Sequence, residues 1–177
     1  MNKKTSKYLS LLLRHKPEKE NLNIDSNGYV LVNEICTKLN LSKSELDNIV
    51  ATNDKKRFAY NNDQTKIRAS QGHSINVNVE LKKILPPILL YHGTTTDNNN
   101  KIMASGLLKM SRQHVHLTND IEVATQVGMR YAKYKNKLII YKIDSEKMNK
   151  DKYEFFISEN GVYLTDYVPS KYIIGII

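Results

Sequence analysis

A change of hydrophobic period at Pro86-Pro87 restricts what this chain can fold into more than any other feature. Before it, apolar residues recur at three- and four-residue spacing, as on the buried stripe of a helix. After it they alternate or run in short blocks, as in strands. Two adjacent prolines hold the backbone extended and interrupt either pattern. The chain is therefore read as a helix-rich part of residues 1–74, a connector of residues 75–87 and a strand-rich part of residues 88–177, in the α+β class. A length of 177 residues leaves room for two small lobes and excludes a repeat array or a large multidomain enzyme.

Within the first part, Tyr8, Leu9, Leu12 and Leu13 predict a helix over residues 6–15 that Pro17 ends, placing Arg14 and His15 in its last turn. A short strand at residues 29–31 follows the Asn27-Gly28 turn. Val32, Ile35, Cys36 and Leu39 predict a second helix, with Cys36 a core residue. Ser42 and Glu45 have the spacing of a capping box, and Leu46, Ile49 and Val50 give the third helix, residues 42–52, its buried stripe. Residues 58–60 and 66–69, joined by a polar turn, predict a hairpin. Three helices with a terminal hairpin resemble a winged helix, a fold that commonly binds nucleic acid. The third helix carries Lys43 as its one basic residue against Glu45 and Asp47, which argues against ordinary major-groove reading and for use of another face.

In the second part, short strands are expected at residues 88–92 and 115–118, and a helix containing Lys101 is expected to stop at Gly106. Asn119 is expected to cap a helix running to about Tyr134. Strands follow at residues 138–143, 153–158, 162–165 and 172–177.

Charge points toward polyanions. Twenty-seven Lys and Arg against 18 Asp and Glu leave +9, and the excess is larger in residues 1–87 than in residues 88–177. Among the basic residues only Arg14, Arg57, Arg68, Arg112 and Arg130 are arginine. In a chain that defaults to lysine, each retained arginine suggests a need for the forked guanidinium, for bidentate contact to phosphate or carboxylate or for stacking. The lone Cys36 excludes an intramolecular disulfide framework and fits a reducing, cytoplasmic setting. No apolar run approaches the roughly 18 residues needed to span a bilayer, so no membrane partner is expected.

Several chemistries lack their residues. The seven glycines include no G-x-G pair, so neither a Rossmann fingerprint nor a phosphate-binding P-loop is present, and there is no G-x-S-x-G elbow. His114 and His116 share one side of a strand without a third ligand at a recognisable spacing, so no metal is expected. What remains is a set of Arg and His residues at element ends, which forms a site only if the fold converges it.

Five segments occur in order along the chain: residues 11–17, LLLRHKP; 67–74, IRASQGHS; 91–94, YHGT; 111–118, SRQHVHLT; and 158–165, SENGVYLT, followed by Asp166 and Val168-Pro169. Together they resemble the RNA 2′-phosphotransferase family, also called tRNA 2′-phosphotransferases, over nearly the whole length. The resemblance implies an N-terminal winged-helix lobe that binds RNA and a C-terminal lobe of the ADP-ribosyltransferase fold that binds NAD without Rossmann glycines. It implies removal of an internal 2′-phosphate from a tRNA-like RNA by transfer to NAD, which is consumed, yielding 2′-hydroxyl RNA, nicotinamide and ADP-ribose 1″,2″-cyclic phosphate without a metal. A monomer is expected.

Residue by residue, the resemblance assigns a catalytic set of Arg14, His15, Arg68 and Arg112. Arg14 and Arg68 would hold the 2′-phosphate, His15 would position it or assist proton transfer, and Arg112 would stabilise phosphate charge in the second step. His92, Gly93, Thr94, His116, Leu117, Thr118, Gly128 and Val162 would form the NAD pocket, with glycine at 93 allowing close backbone approach. Lys56, Arg57 and Lys66 would touch flanking RNA phosphates. Ser70, Thr118 and Tyr163 depart from the family's usual Asn, Ser and Trp. Two alternatives stay open: an ADP-ribosyltransferase acting on nucleic-acid phosphates that stops at the first step, and a noncatalytic nucleic-acid-binding module.

Overall fold

A computed structural model describes residues 3–132, 134 and 137–177. It is a mixed α and β fold whose sheets are antiparallel, and it divides into two units: Met1–Leu81 with Ser158–Asn160, and Lys82–Ile157 with Gly161–Ile177.

The first unit opens with α1 (Lys3–Arg14), which buries Leu9, Leu12 and Leu13 along one stripe. Ser6 on the same stripe accepts a hydrogen bond from buried Asn53 Nδ2 at 3.1 Å, so a polar atom inside the core is satisfied. Pro17 starts a single 3-10 turn that Asn21 ends at φ 50°. The Asp25 carboxylate then accepts the backbone N–H groups of Asn27 and Tyr29, and Gly28 adopts φ +82°, a value that favours glycine. β1 (Val30–Leu31) leads directly into α2 (Val32–Leu39). α3 (Lys43–Ala51) begins with both halves of the expected capping box, Ser42 and Glu45 bonding each other's backbone. β2 (Phe58–Tyr60) and β3 (Lys66–Ala69) form the expected hairpin, and β1 pairs with the other side of β3, Val30 opposite Ile67. The helices and this sheet enclose one core containing Leu9, Leu12, Ile35, Leu46, Phe58 and Ile67.

In the second unit β4 (Lys82–Ile84) is an edge strand inside the segment read from sequence as a connector. Its exposed Lys82 and Lys83 suit an edge and hide the strand pattern, and Lys83 pairs with Glu154. The order continues β5 (Leu89–Thr95), α4 (Asn99–Ser105), β6 (Leu107–Leu108), β7 (Val115–Leu117), α5 (Ile121–Gly128), β8 (Leu138–Asp144), α6 (Ser145–Lys150), β9 (Phe155–Ile157), β10 (Tyr163–Thr165), β11 (Tyr167–Val168) and β12 (Ile173–Ile176). One sheet has the order β12-β8-β5 and another β4-β9-β10-β7, and a bridge between Tyr91 and Thr118 ties them together. Their core includes Leu90, Leu117, Tyr141, Ile143, Phe155 and Tyr172.

α5 departs from the sequence expectation at both ends. Its cap is Asp120, whose carboxylate accepts the N–H groups of Glu122 and Val123 at 2.7 and 3.2 Å, and not Asn119. Thr118 Oγ1 in turn accepts the Asp120 N–H at 3.1 Å, which sets the chain's entry one residue later. The helix stops at Gly128, after which three-residue hydrogen bonds, Arg130 N–H to the Val127 carbonyl and Tyr131 N–H to the Gly128 carbonyl, mix with the four-residue bond from Ala132 N–H to the Gly128 carbonyl. Of the longer helix expected, Lys133 lies outside the described residues.

Candidate functional site

The cationic group of the first unit is built where α1 ends. The Arg14 carbonyl accepts the Ser74 N–H at 2.9 Å, and His15 Nδ1 lies 2.9 Å from Ser74 Oγ, so the segment after β3 is fastened to the C-terminus of α1. Arg68 sits inside β3 opposite Ala59 and is only 6% exposed. Its guanidinium lies over the Tyr29 ring, 4.5 Å from the centroid, and donates to the Asn27 carbonyl at 3.4 Å and to Glu159 Oε1 at 2.8 Å. Glu80 Oε2 approaches within 3.8 Å. A buried guanidinium needs such partners, because an isolated buried charge is costly.

His73 lies in the same unit and is 1% exposed. Burial pushes its imidazole down to about 4, and Arg14, His15 and Arg68 push the same way. It is therefore neutral near pH 7. Both its ring nitrogens, and Arg68 Nε, are buried with no hydrogen-bond partner among the described residues. Fixed cations with buried polar groups in reserve suit an anion with several oxygens, and phosphate is the commonest in biology.

The three basic residues expected along RNA differ from one another. Lys56 is exposed, at φ 42°, and lines a cavity of about 550 Å³ together with Asn53, Phe58, Ser70 and Glu159. Arg57 donates to Asn53 Oδ1 at 3.4 Å, and Lys66 is paired with Asp25 at 3.0 Å.

In the second unit the structure gathers most of the residues expected around a dinucleotide. His92 Nδ1 lies 3.0 Å from the His116 carbonyl, which can only accept, so Nδ1 carries the proton and Nε2 presents a lone pair. Burial lowers the His92 pKa, the bond to the His116 carbonyl opposes this, and Arg112 adds to the lowering. Thr94 Oγ1 accepts from Asn98 Nδ2 at 3.2 Å. Thr118 exchanges backbone hydrogen bonds with Tyr91 at 2.7 and 3.1 Å, which brings the YHGT and HLT segments side by side.

The close approach at Gly93 is made by α5. A Cβ at Gly93 would lie 1.9 Å from the Ala124 carbonyl oxygen, and one at Gly128 would lie 2.4 Å from Leu138 Cδ1 of β8 and 3.0 Å from the Thr94 backbone nitrogen of β5. Both glycines thus let α5 rest on β5. The Leu117 side chain is 2% exposed and belongs to the core, and Val162 is half-buried just before β10. Arg112 is exposed in a turn, its N–H bonded to the Lys109 carbonyl at 3.0 Å. Beside these residues, burial lowers the His114 pKa while Asp166, 3.9 Å away, opposes this. Among the described residues no group of three or more His, Cys, Asp and Glu side chains is placed to hold a metal ion, and no helix is long and apolar enough to cross a membrane.

Comparison with known proteins connects these groups to a family. Residues 1–167 match the model of the "RNA 2′-phosphotransferase, Tpt1 / KptA family". The chain is 50% identical over 175 residues to a Fusobacterium nucleatum protein, with 96% of each chain covered. It is 51% identical over 176 residues to one from Flavobacterium johnsoniae, covering 97% of this chain and 94% of the relative. A Streptomyces coelicolor protein is 43% identical over 175 residues, covering 96% and 93%. All three carry the name "Probable RNA 2′-phosphotransferase". The chain belongs to the RNA 2′-phosphotransferase family.

Sequence reasoning missed part of the surroundings of Arg68 in this RNA 2′-phosphotransferase family member. His73 lies in a segment quoted for the resemblance but had no role there; its signal was a histidine flanked by small and polar residues in a cationic stretch. Glu159 likewise lies in a quoted segment, 158–165, without a role there, whereas Tyr29 and Glu80 carried no signal, because nothing local links them to Arg68.

Proposed function

We propose that this protein removes an internal 2′-phosphate from RNA and transfers it to NAD, yielding 2′-hydroxyl RNA, nicotinamide and ADP-ribose 1″,2″-cyclic phosphate. In this reading the three helices and the β1-β3-β2 sheet are a winged-helix lobe that holds RNA. The second unit is an ADP-ribosyltransferase-like lobe that holds NAD. The observation that carries the reading is Arg68, a buried guanidinium on an aromatic ring within a unit that also presents Arg14 and His15 at a helix end.

The reaction proceeds in two displacements. An oxygen of the RNA 2′-phosphate attacks the ribose carbon bearing nicotinamide, and the carbon–nitrogen bond breaks to release neutral nicotinamide. The adjacent ribose 2″-hydroxyl then attacks phosphorus, and the RNA 2′-oxygen leaves with a proton. Arg14 and Arg68 hold the phosphate oxygens and fix the attack geometry, which supplies much of the rate without acid–base chemistry. His15, tied to Ser74, positions the same phosphate. Arg112 offsets the charge that spreads over phosphoryl oxygens in the second displacement.

The residues of the second unit fit a dinucleotide whose nicotinamide ring is cationic. A neutral His92 does not repel that ring, and its Nε2 accepts from a ribose hydroxyl.

The test is incubation of the full chain with NAD and an oligonucleotide carrying one internal 2′-phosphate, in the absence of metal. Equal amounts of nicotinamide, cyclic phosphate and 2′-hydroxyl RNA are expected. Nicotinamide release with ADP-ribosylated RNA as the end product would identify an enzyme that stops after the first displacement. Absence of nicotinamide release would overturn the reading.

A further inference from the structure

Arg68 is buried, yet its two anionic partners reach it from solvent: its own side chain is 7% exposed, against 48% for Glu159 and 63% for Glu80. The ion pair is lopsided in consequence. The guanidinium is immobilised in β3, against Tyr29 and the Asn27 carbonyl. Glu159 lies in a short segment between β9 and β10, and Glu80 lies outside any strand or helix at φ 54°. A cation so deeply placed always needs an anion, whereas either carboxylate returns to water at small cost.

Through a single oxygen, Glu159 occupies one arm of the guanidinium fork, where one oxygen of a phosphate would sit, and Arg68 Nε has no hydrogen-bond partner among the described residues. Any phosphate that binds Arg68 must therefore evict Glu159 or bind beside its charge. For a backbone phosphodiester the exchange replaces one monoanion with another and gains little. A 2′-phosphomonoester brings about −1.5 to −2 charges and a third terminal oxygen, so its exchange is favourable.

Resting on the function proposed above, we infer that Glu159 is a specificity-determining residue: a removable counter-ion on Arg68 that a 2′-phosphomonoester displaces and a backbone phosphodiester does not. Glu80, at 3.8 Å against 2.8 Å for Glu159, contributes more weakly in the same sense. The arrangement restricts the Arg68 site to monoesters in a substrate whose backbone phosphodiesters greatly outnumber them.

Binding without NAD tests this on the full chain, with fluorescence anisotropy of two oligonucleotides that differ only in one internal 2′-phosphate. Glu159→Gln keeps the size and an acceptor oxygen but removes the charge. It is expected to tighten the unmodified oligonucleotide on the order of tenfold and the 2′-phosphorylated one by less, shrinking the preference between them. Glu80→Gln should shrink it less. Glu146→Gln, which removes a charge paired with Lys150 in the other unit, should leave the preference intact. An unchanged preference in Glu159→Gln, or an equal shift in Glu146→Gln, overturns the inference while leaving the proposed function standing. A wild-type chain that does not prefer the 2′-phosphorylated oligonucleotide overturns both.

Discussion

In the first unit a guanidinium is buried on an aromatic ring with carboxylates beside it, whereas in the second the guanidinium of Arg112 is exposed and the polar group held in place, His92, is neutral. Burying Arg68 fixes its fork in one geometry and strengthens its electrostatics by removing water. This suits a multiply charged anion that must be held still. A neutral imidazole whose tautomer is set by a backbone carbonyl suits a ligand carrying hydroxyls and a positive ring. The contrast teaches that the proposed partners are distinguished by where each unit spends burial, more than by how many basic residues it carries.

The sharpest way to break this comparison is to remove guanidinium groups singly, two from the first unit and one from the second. Arg68→Ala and Arg14→Ala should each lower turnover by roughly 10²–10³, or about 3–4 kcal/mol, with weakened binding of the 2′-phosphorylated RNA. Arg112→Ala should leave that binding nearly unchanged and instead let ADP-ribosylated RNA accumulate. Nicotinamide release and gel analysis of the RNA in one reaction separate the two patterns. If Arg112→Ala weakens RNA binding as much as Arg68→Ala, the assigned division of labour is wrong.

A pH series read against a His73 variant probes the first unit, because His92 and His114 of the second unit are lowered in the same direction. His73, at about 4 when folded against an ordinary value near 6.5, binds fewer protons in the folded than in the unfolded state between those two values. Stability from this residue is therefore present above about pH 6.5 and lost as pH falls through 4, by up to about 3 kcal/mol. Denaturant unfolding from pH 7 to 4 should show this slope, and His73→Gln should reduce it by the His73 share.

Gly93→Ala probes the second unit. The added Cβ meets the Ala124 carbonyl oxygen and forces α5 from β5, at a cost of about 1–3 kcal/mol seen as a lower Tm. The smallest effects come from the helix caps, one in each unit. Ser42→Ala removes the capping box of α3, and Asp120→Ala removes the two N–H acceptances that start α5. Each should cost about 1 kcal/mol in thermal unfolding.

How much could be read in advance follows the range of the interactions involved. The burial of α1 on Leu9, Leu12 and Leu13, the box at Ser42 and Glu45, and the hairpin of β2 and β3 were legible because each rests on partners within a few residues. So was the position of Arg14 at a helix end, given the spacing before it and Pro17 after it. The start of α5 was misplaced by one residue because Asn119 and Asp120 are both good caps, and Thr118 decided between them by accepting the Asp120 N–H. β4 was missed because its lysines carry no strand pattern and only its pairing with β9 makes it one.

The amino-acid sequence by itself determined most of the local elements and which residue types were available for chemistry, because periodicity, caps and turns act over one or two turns of chain. Only the tertiary structure decided what Arg68 meets. Tyr29 and the Asn27 carbonyl come from a turn far upstream, and Glu159 lies 91 residues away in sequence. It likewise decided that Gly93 answers to the backbone of α5. Such contacts follow from sheet register and core packing, which are properties of the whole chain and leave no mark on the neighbours of any one residue.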